Sequence, residues 1–180
     1  VDALSKQEGK NYVFGGSDCL HPEYKRCILR ISEGGSDASE LREFDLDKKS
    51  FMKDGFFLPR SKSNMTWLNK DEVLFADAIE DDAKTQSGYP NRVRLWRRGT
   101  KFQDAPLLFE GKQEDVASRG FTIQDGPKDY AFISRALSFY TAEYYFLKQG
   151  KASKLDLPED VELQGIYRGK LLFTNRKVMD

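Results

Sequence analysis

The chain reads as an all-β protein built from stacked, four-stranded antiparallel sheets. Three observations predict this: apolar residues alternate with period two, turn chemistry punctuates the runs, and one strand-turn-strand unit occurs twice. The 180 residues suffice for one domain with a real core. Hydrophobic content is low at 39%, yet 13% of residues are aromatic, more than a disordered chain carries. Thin apolar layers under a large solvated surface follow from that balance.

The first strand begins near Tyr12. After it, Cys27, Leu29 and Ile31 alternate with Ile28, Arg30 and Ser32, which marks a strand with one apolar face. The stretch from Glu33 to Leu46 reads as a hairpin around Gly34-Gly35-Ser36-Asp37, and Asp47-Lys48-Lys49 supplies the next turn. Leu58-Pro59 closes a strand. Met65 to Asn69 and Glu72 to Phe75 flank Asn69-Lys70-Asp71, read as the passage from one blade's fourth strand to the next blade's first. Leu74 and Ala78 are spaced for one helical face, but the compact Val73-Leu74-Phe75 suits a buried strand better. Val93 and Leu95 alternate with Arg92, Arg94, Trp96 and Arg98 before Arg98-Gly99-Thr100 turns the chain. Tyr144-Tyr145-Phe146-Leu147 carries bulk on both faces, as a strand sandwiched between sheets does. Turns at Gln149-Gly150-Lys151 and Arg168-Gly169-Lys170 complete the series.

The order Leu58-Pro59, Trp67, Val73-Leu74-Phe75 is repeated as Leu157-Pro158, Tyr167, Leu171-Leu172-Phe173. If innermost strands begin near Tyr12, Glu72, Asp129 and Lys170, each interval holds three more strands, the content of a propeller blade. The prediction is a partial β-propeller of about three four-stranded antiparallel blades, at 12–71, 72–128 and 129–169, with the opening strand of a fourth at 170–180.

Chemical signals are sparse. Lys plus Arg and Asp plus Glu number 29 each, so no net field draws nucleic acid or an anionic membrane. No apolar run approaches the about 20 residues of a membrane helix, and Val1-Asp2-Ala3 does not begin a signal peptide. Cys19 and Cys27 flank His21, the single histidine, too few ligands for a structural zinc site. Two separate half-buried thiols are expected ahead of a cross-strand disulfide. Asp45, Asp47 and Glu80-Asp81-Asp82 lack the spacing of a calcium loop and read as solvated turns. Arg92, Arg94, Trp96, Arg97 and Arg98 form a basic strip that suits single-stranded nucleic acid less well than a plain exposed strand face with Trp96 covered by a loop. Phe132, Phe139, Tyr140, Tyr144, Tyr145 and Phe146 are expected to pack between blades. No catalytic, cofactor-binding or metal residue is assigned.

Tyr24 to Asp45, Gly55-Phe56-Phe57-Leu58-Pro59-Arg60-Ser61-Lys62-Ser63 leading to Trp67, Ser87-Gly88-Tyr89-Pro90, Leu95-Trp96-Arg97-Arg98-Gly99-Thr100 and Phe109-Glu110-Gly111 together resemble one family. It is the N-terminal propeller of bacterial prolyl oligopeptidase-like serine peptidases, and the likeness is strongest from about residue 2 to 116. The resemblance implies a seven-bladed propeller covering an α/β-hydrolase domain that cleaves short peptides, often after proline. The chain departs from the whole enzyme. A nucleophile elbow needs Gly-x-Ser-x-Gly, and both near misses, around Ser17 and Ser36, lack the final glycine and read as hairpin turns. His21 also precedes nearly every serine, the reverse of the hydrolase order.

The expectation is therefore a noncatalytic segment that gates substrate and docks on the hydrolase domain of its parent chain. A free-standing β-rich module that binds protein or glycan is the alternative. Open blade faces would favour a homo-oligomer. The expected partners are the hydrolase domain and the parent's short peptide substrate, with no nucleic acid, membrane or cofactor. Compartment is left open, cytoplasm being favoured over periplasm.

Overall fold

A computed structural model describes residues 1–175 and is almost entirely β. A short helix, α1 (Asp2–Glu8), precedes the first sheet and was not foreseen. Sheet one contains β1 (Tyr12–Cys19), β2 (Arg26–Glu33), β3 (Ser39–Asp45), and an interrupted outer strand made of β4 (Ser50–Phe51) and β5 (Phe57–Ser61), both paired with β3. Sheet two runs β6 (Ser63–Asn69), β7 (Glu72–Asp77), β8 (Arg92–Arg97), β9 (Leu107–Glu110). Sheet three runs β10 (Ala117–Asp125), β11 (Lys128–Ala136), β12 (Ala142–Lys148), β13 (Lys151–Lys154). The last sheet pairs β14 (Val161–Tyr167) with β15 (Lys170–Asn175). Every pairing between neighbouring strands is antiparallel, and the first strands of successive sheets run side by side. This is a partial β-propeller with an open ring.

The sheet boundaries differ from the expected blades at 12–71, 72–128 and 129–169. Each expected boundary falls one hairpin late, because the tight turns at 70–71, 126–127 and 168–169 join the first and second strands of one sheet. At the first of these, the Asn69 side chain accepts the Asp71 N–H, and Trp67 lies opposite Val73 in the same ladder. A turn this short can only connect hydrogen-bonded neighbours. The innermost strands are thus β1, β6, β10 and β14. The strand expected to open a fourth blade at 170–180 is the second strand of its sheet as far as Asn175, and residues 176–180 lie outside the described residues.

Two apolar layers hold adjacent sheets together. Ile28, Leu41 and Leu58 of sheet one meet Met65, Trp67, Val73, Phe75 and Trp96 of sheet two. On the opposite side of β7, Leu74 and Ala76 join Val93 of their own sheet against Ile133 and Leu147 of sheet three. Alternation is therefore real, but both faces are dry. The same holds for β2, expected to have one apolar face: Ile28 enters the layer with sheet two, while Ile31 packs with Leu4 of α1 and Tyr12. Beyond sheet three, Phe121 stacks on Phe132 with centroids 5.6 Å apart, and Tyr144 meets Phe121 edge-on. Phe139 and Tyr140 depart from the expected inter-blade packing, being 84% and 72% exposed in the β11–β12 turn. Among the described residues no helix is long and apolar enough to cross a membrane.

Candidate functional site: the wall of first strands

Ser17 and Ser36 occupy different kinds of backbone. Ser36 lies in the β2–β3 hairpin, where Gly34 and Gly35 take φ of 63° and 77°, and its hydroxyl donates to the Ala38 carbonyl. Ser17 lies inside β1, just after a register shift between Phe14 and Gly16, so its near-miss motif is a bulged strand and not the expected hairpin turn. The imidazole of His21 is engaged elsewhere: its Nδ1 stands 3.1 Å from the Asp129 carboxylate at the β10–β11 turn. Among the described residues, no hydrogen bond joins either serine to a histidine or lysine. The β1–β2 connection carrying His21 thus reaches from sheet one to sheet three, helped by Tyr24, whose hydroxyl donates to Gln124.

At the base of that connection Cys19 and Cys27 form a disulfide, where separate thiols were expected. The reason is register. The two residues stand directly opposite in the β1–β2 ladder, with Cα atoms 3.9 Å apart.

The basic strip on β8 is consumed by structure. Arg92 bonds Asp82 and Glu110, Arg97 bonds Glu72, and Arg94 donates to the Ala105 carbonyl. Trp96 is buried against Phe56 and Phe75 and is not on an exposed face; Phe102 of the following loop does cover one of its edges. Arg98 crosses to sheet one, where it makes a two-pronged pair with the fully buried carboxylate of Glu43 at 2.9 and 3.0 Å. The Ser87–Pro90 loop turns back to sheet one as well: Tyr89 donates to Asp37, with the Lys62 ammonium 3.9 Å over its ring. Of the carboxylates read as solvated turns, Asp81 and Asp82 pair with Lys84 and Arg92, but Asp45 is buried, accepting the Lys48 N–H.

The first strands β1, β6 and β10 make a wall that is open to a ligand. It borders a cavity of about 380 Å³ lined by Gly15, Gly16, Ser17, Asp18, Thr66 and Thr122 among others. Thr66 and Thr122 bridge two sheets through their hydroxyls, 3.2 Å apart. Burial pushes the Asp18 carboxyl above its ordinary value, and hydrogen bonds from Thr66 and the Trp67 backbone offset only part of that. Composition gave no signal for this wall, because its polar residues come from three distant segments.

Stacked antiparallel sheets around an open ring define the class as a partial β-propeller. Comparison with known proteins makes the class specific: residues 1–170 match the family model of the prolyl oligopeptidase N-terminal β-propeller domain. The chain belongs to that family. It is 35% identical over 179 residues to an uncharacterised peptidase of Sinorhizobium fredii, covering 96% of this chain and 25% of the relative. A second uncharacterised peptidase, from Rickettsia prowazekii, is 34% identical over 182 residues, with 93% and 25% covered. Among solved structures, a post-proline cleaving enzyme from Rickettsia typhi superimposes with a TM-score of 0.88 at 30% identity, over 96% of this chain and 27% of that one. Oligopeptidase B of Leishmania major shares the fold, with a TM-score of 0.65 at 14% identity, over 98% and 26% of the two chains. The chain thus spans about a quarter of the length of the curated relatives it matches.

Proposed function

We propose that the chain is a noncatalytic propeller segment of a serine peptidase that hydrolyses short peptides, often after proline. In that polypeptide it restricts access to an α/β-hydrolase domain and docks on it. The observation that carries this reading is the placement of Ser17 within a strand and Ser36 within a hairpin, in a chain whose family is defined by peptidases. Among the described residues, neither serine has a base beside it or a strained strand-to-helix turn to expose it. The contribution left to the sheets is steric. A wall of first strands admits an extended peptide and excludes a folded protein.

Kinetic comparison of the purified 180-residue chain with the full-length polypeptide tests this. The full-length protein is expected to cleave short proline-containing peptides and spare folded proteins, while the chain alone cleaves neither. Hydrolysis by the isolated chain, abolished by Ser17→Ala or Ser36→Ala, would refute the reading.

A further inference from the structure

Arg30 is the cation that borders the first-strand cavity, and among the described residues it has no counter-ion; the Asp18 carboxyl on the same cavity forms no ion pair with it. Arg30 rises from β2 opposite Gly16, and its stem passes Gly15, where a Cβ would stand 3.1 Å from both Cγ and Cδ. That bare position lets the guanidinium reach the cavity between the sheets. Its Nη1 donates to the Ser39 hydroxyl at 3.2 Å and to the Ser63 carbonyl at 2.9 Å. The guanidinium has five N–H groups, so the donors on Nε and Nη2 have no acceptor among the described residues. No carboxylate of the described residues lies within ion-pair distance, whereas Arg42, Arg92, Arg98 and Arg135 each contact one. Burial opposes its charge.

Beside it, Oδ1 of Asn64 is buried with no donor, and Asn64 and Arg30 border the same cavity of about 380 Å³. The guanidinium is half-buried and the amide oxygen buried, and a ligand that met both would satisfy groups the described residues leave short of partners. The matching ligand has an anionic, planar acceptor next to an N–H donor. A carboxylate carried by a peptide has both.

We propose that this cavity holds a carboxylate of a short peptide, with Arg30 as counter-ion and Asn64 Oδ1 accepting a peptide N–H. The inference rests on the peptidase reading above and adds a preference within it. The carboxylate comes either from the peptide C-terminus or from an acidic side chain, and matched peptides separate the two.

The test uses the full-length polypeptide that carries this chain. Peptides of one sequence are compared as free acid and carboxamide, and carboxamides are compared with Glu or Gln at one position. One of the two acidic forms is expected to have a kcat/KM about tenfold above its neutral match at low salt. Raising KCl shrinks that ratio, and Arg30→Gln brings it close to one. Where Arg30→Gln does not fold, Arg30→Lys and the salt titration of the unaltered protein decide. Equal cleavage of acidic and neutral peptides at low salt overturns the proposal, as does a preference that survives Arg30→Gln. If no peptide is cleaved, the peptidase reading fails, and calorimetric binding of the same pairs still judges the cavity: tighter binding of an acidic form upholds it, equal binding sinks it.

Discussion

Glu43 shows how one side chain sets several others. Its carboxylate, with no exposed surface, accepts from both Arg98 terminal nitrogens and from the Phe56 N–H. Gly55 must be bare beside it, since a Cβ there would stand 2.9 Å from the Glu43 Cβ. Arg98 lies 4.5 Å over the Phe56 ring, so the pair also packs the layer between two sheets. Removing Arg98 leaves that buried charge with only the more distant Arg26, 3.9 Å away, as a cation, which costs up to about 3 kcal/mol. Arg98→Met is accordingly expected to lower the denaturant midpoint strongly, and the double change Glu43→Gln with Arg98→Met to lower it by less than the sum. Nothing in the sequence signalled this pair. Its partners are separated by most of a sheet, and Arg98 reads in the sequence as one of four strip cations. His21 was equally opaque, because its partner Asp129 lies beyond a whole intervening sheet.

At the scale of strands, alternation and turns were legible, and their grouping was not. The Glu33–Leu46 hairpin, the buried β7 and the two-faced β12 all stand where their residues place them. The repeated unit is likewise real in part: Trp67 and Tyr167 both lie on first strands followed by tight turns, although Leu157-Pro158 is outside any strand. Grouping fails because a hairpin turn and a blade junction both look like short polar interruptions. The difference resides in which faces meet. At Gly120 on β10, a Cβ would come within 2.8 Å of the Leu74 Cβ on β7, so the third sheet lies against the second only because that position is bare. Gly120→Ala is expected to cost about 1–3 kcal/mol by overpacking, read as a lowered melting temperature. The third sheet also has a pH signature. Hydrogen bonds from Lys154 and Tyr145 hold the Glu143 carboxyl down at about 2, with Arg135 adding attraction. A depressed carboxylate stabilises the fold fully above its unfolded value, near 4.5, and the benefit disappears as pH falls towards 2. Denaturation of Glu143→Gln should therefore show a shallower loss of stability across that window than the unaltered chain.

For the whole molecule, the telling asymmetry is that three sheets are four strands wide, counting β4 and β5 as one interrupted outer strand, and the last has two among the described residues. Its residues Tyr167 and Leu172 are 59% and 50% exposed, and Phe14 on β1 is 53% exposed at the opposite end of the series. Such faces ordinarily meet further strands, and repeat architectures are stable only when neighbours cover them. Sedimentation of the isolated chain is expected to show self-association that increases with concentration, while the full-length polypeptide sediments as a discrete species. A chain that stays monomeric at high concentration would favour an autonomous binding module instead. The Cys19–Cys27 bond leaves a separate, practical mark on this molecule. Lys25 and Arg26 lie inside the small covalent loop it closes, so a tryptic nick there severs the backbone without releasing a fragment: the nicked chain should migrate as one band on a non-reducing denaturing gel and as two after thiol treatment.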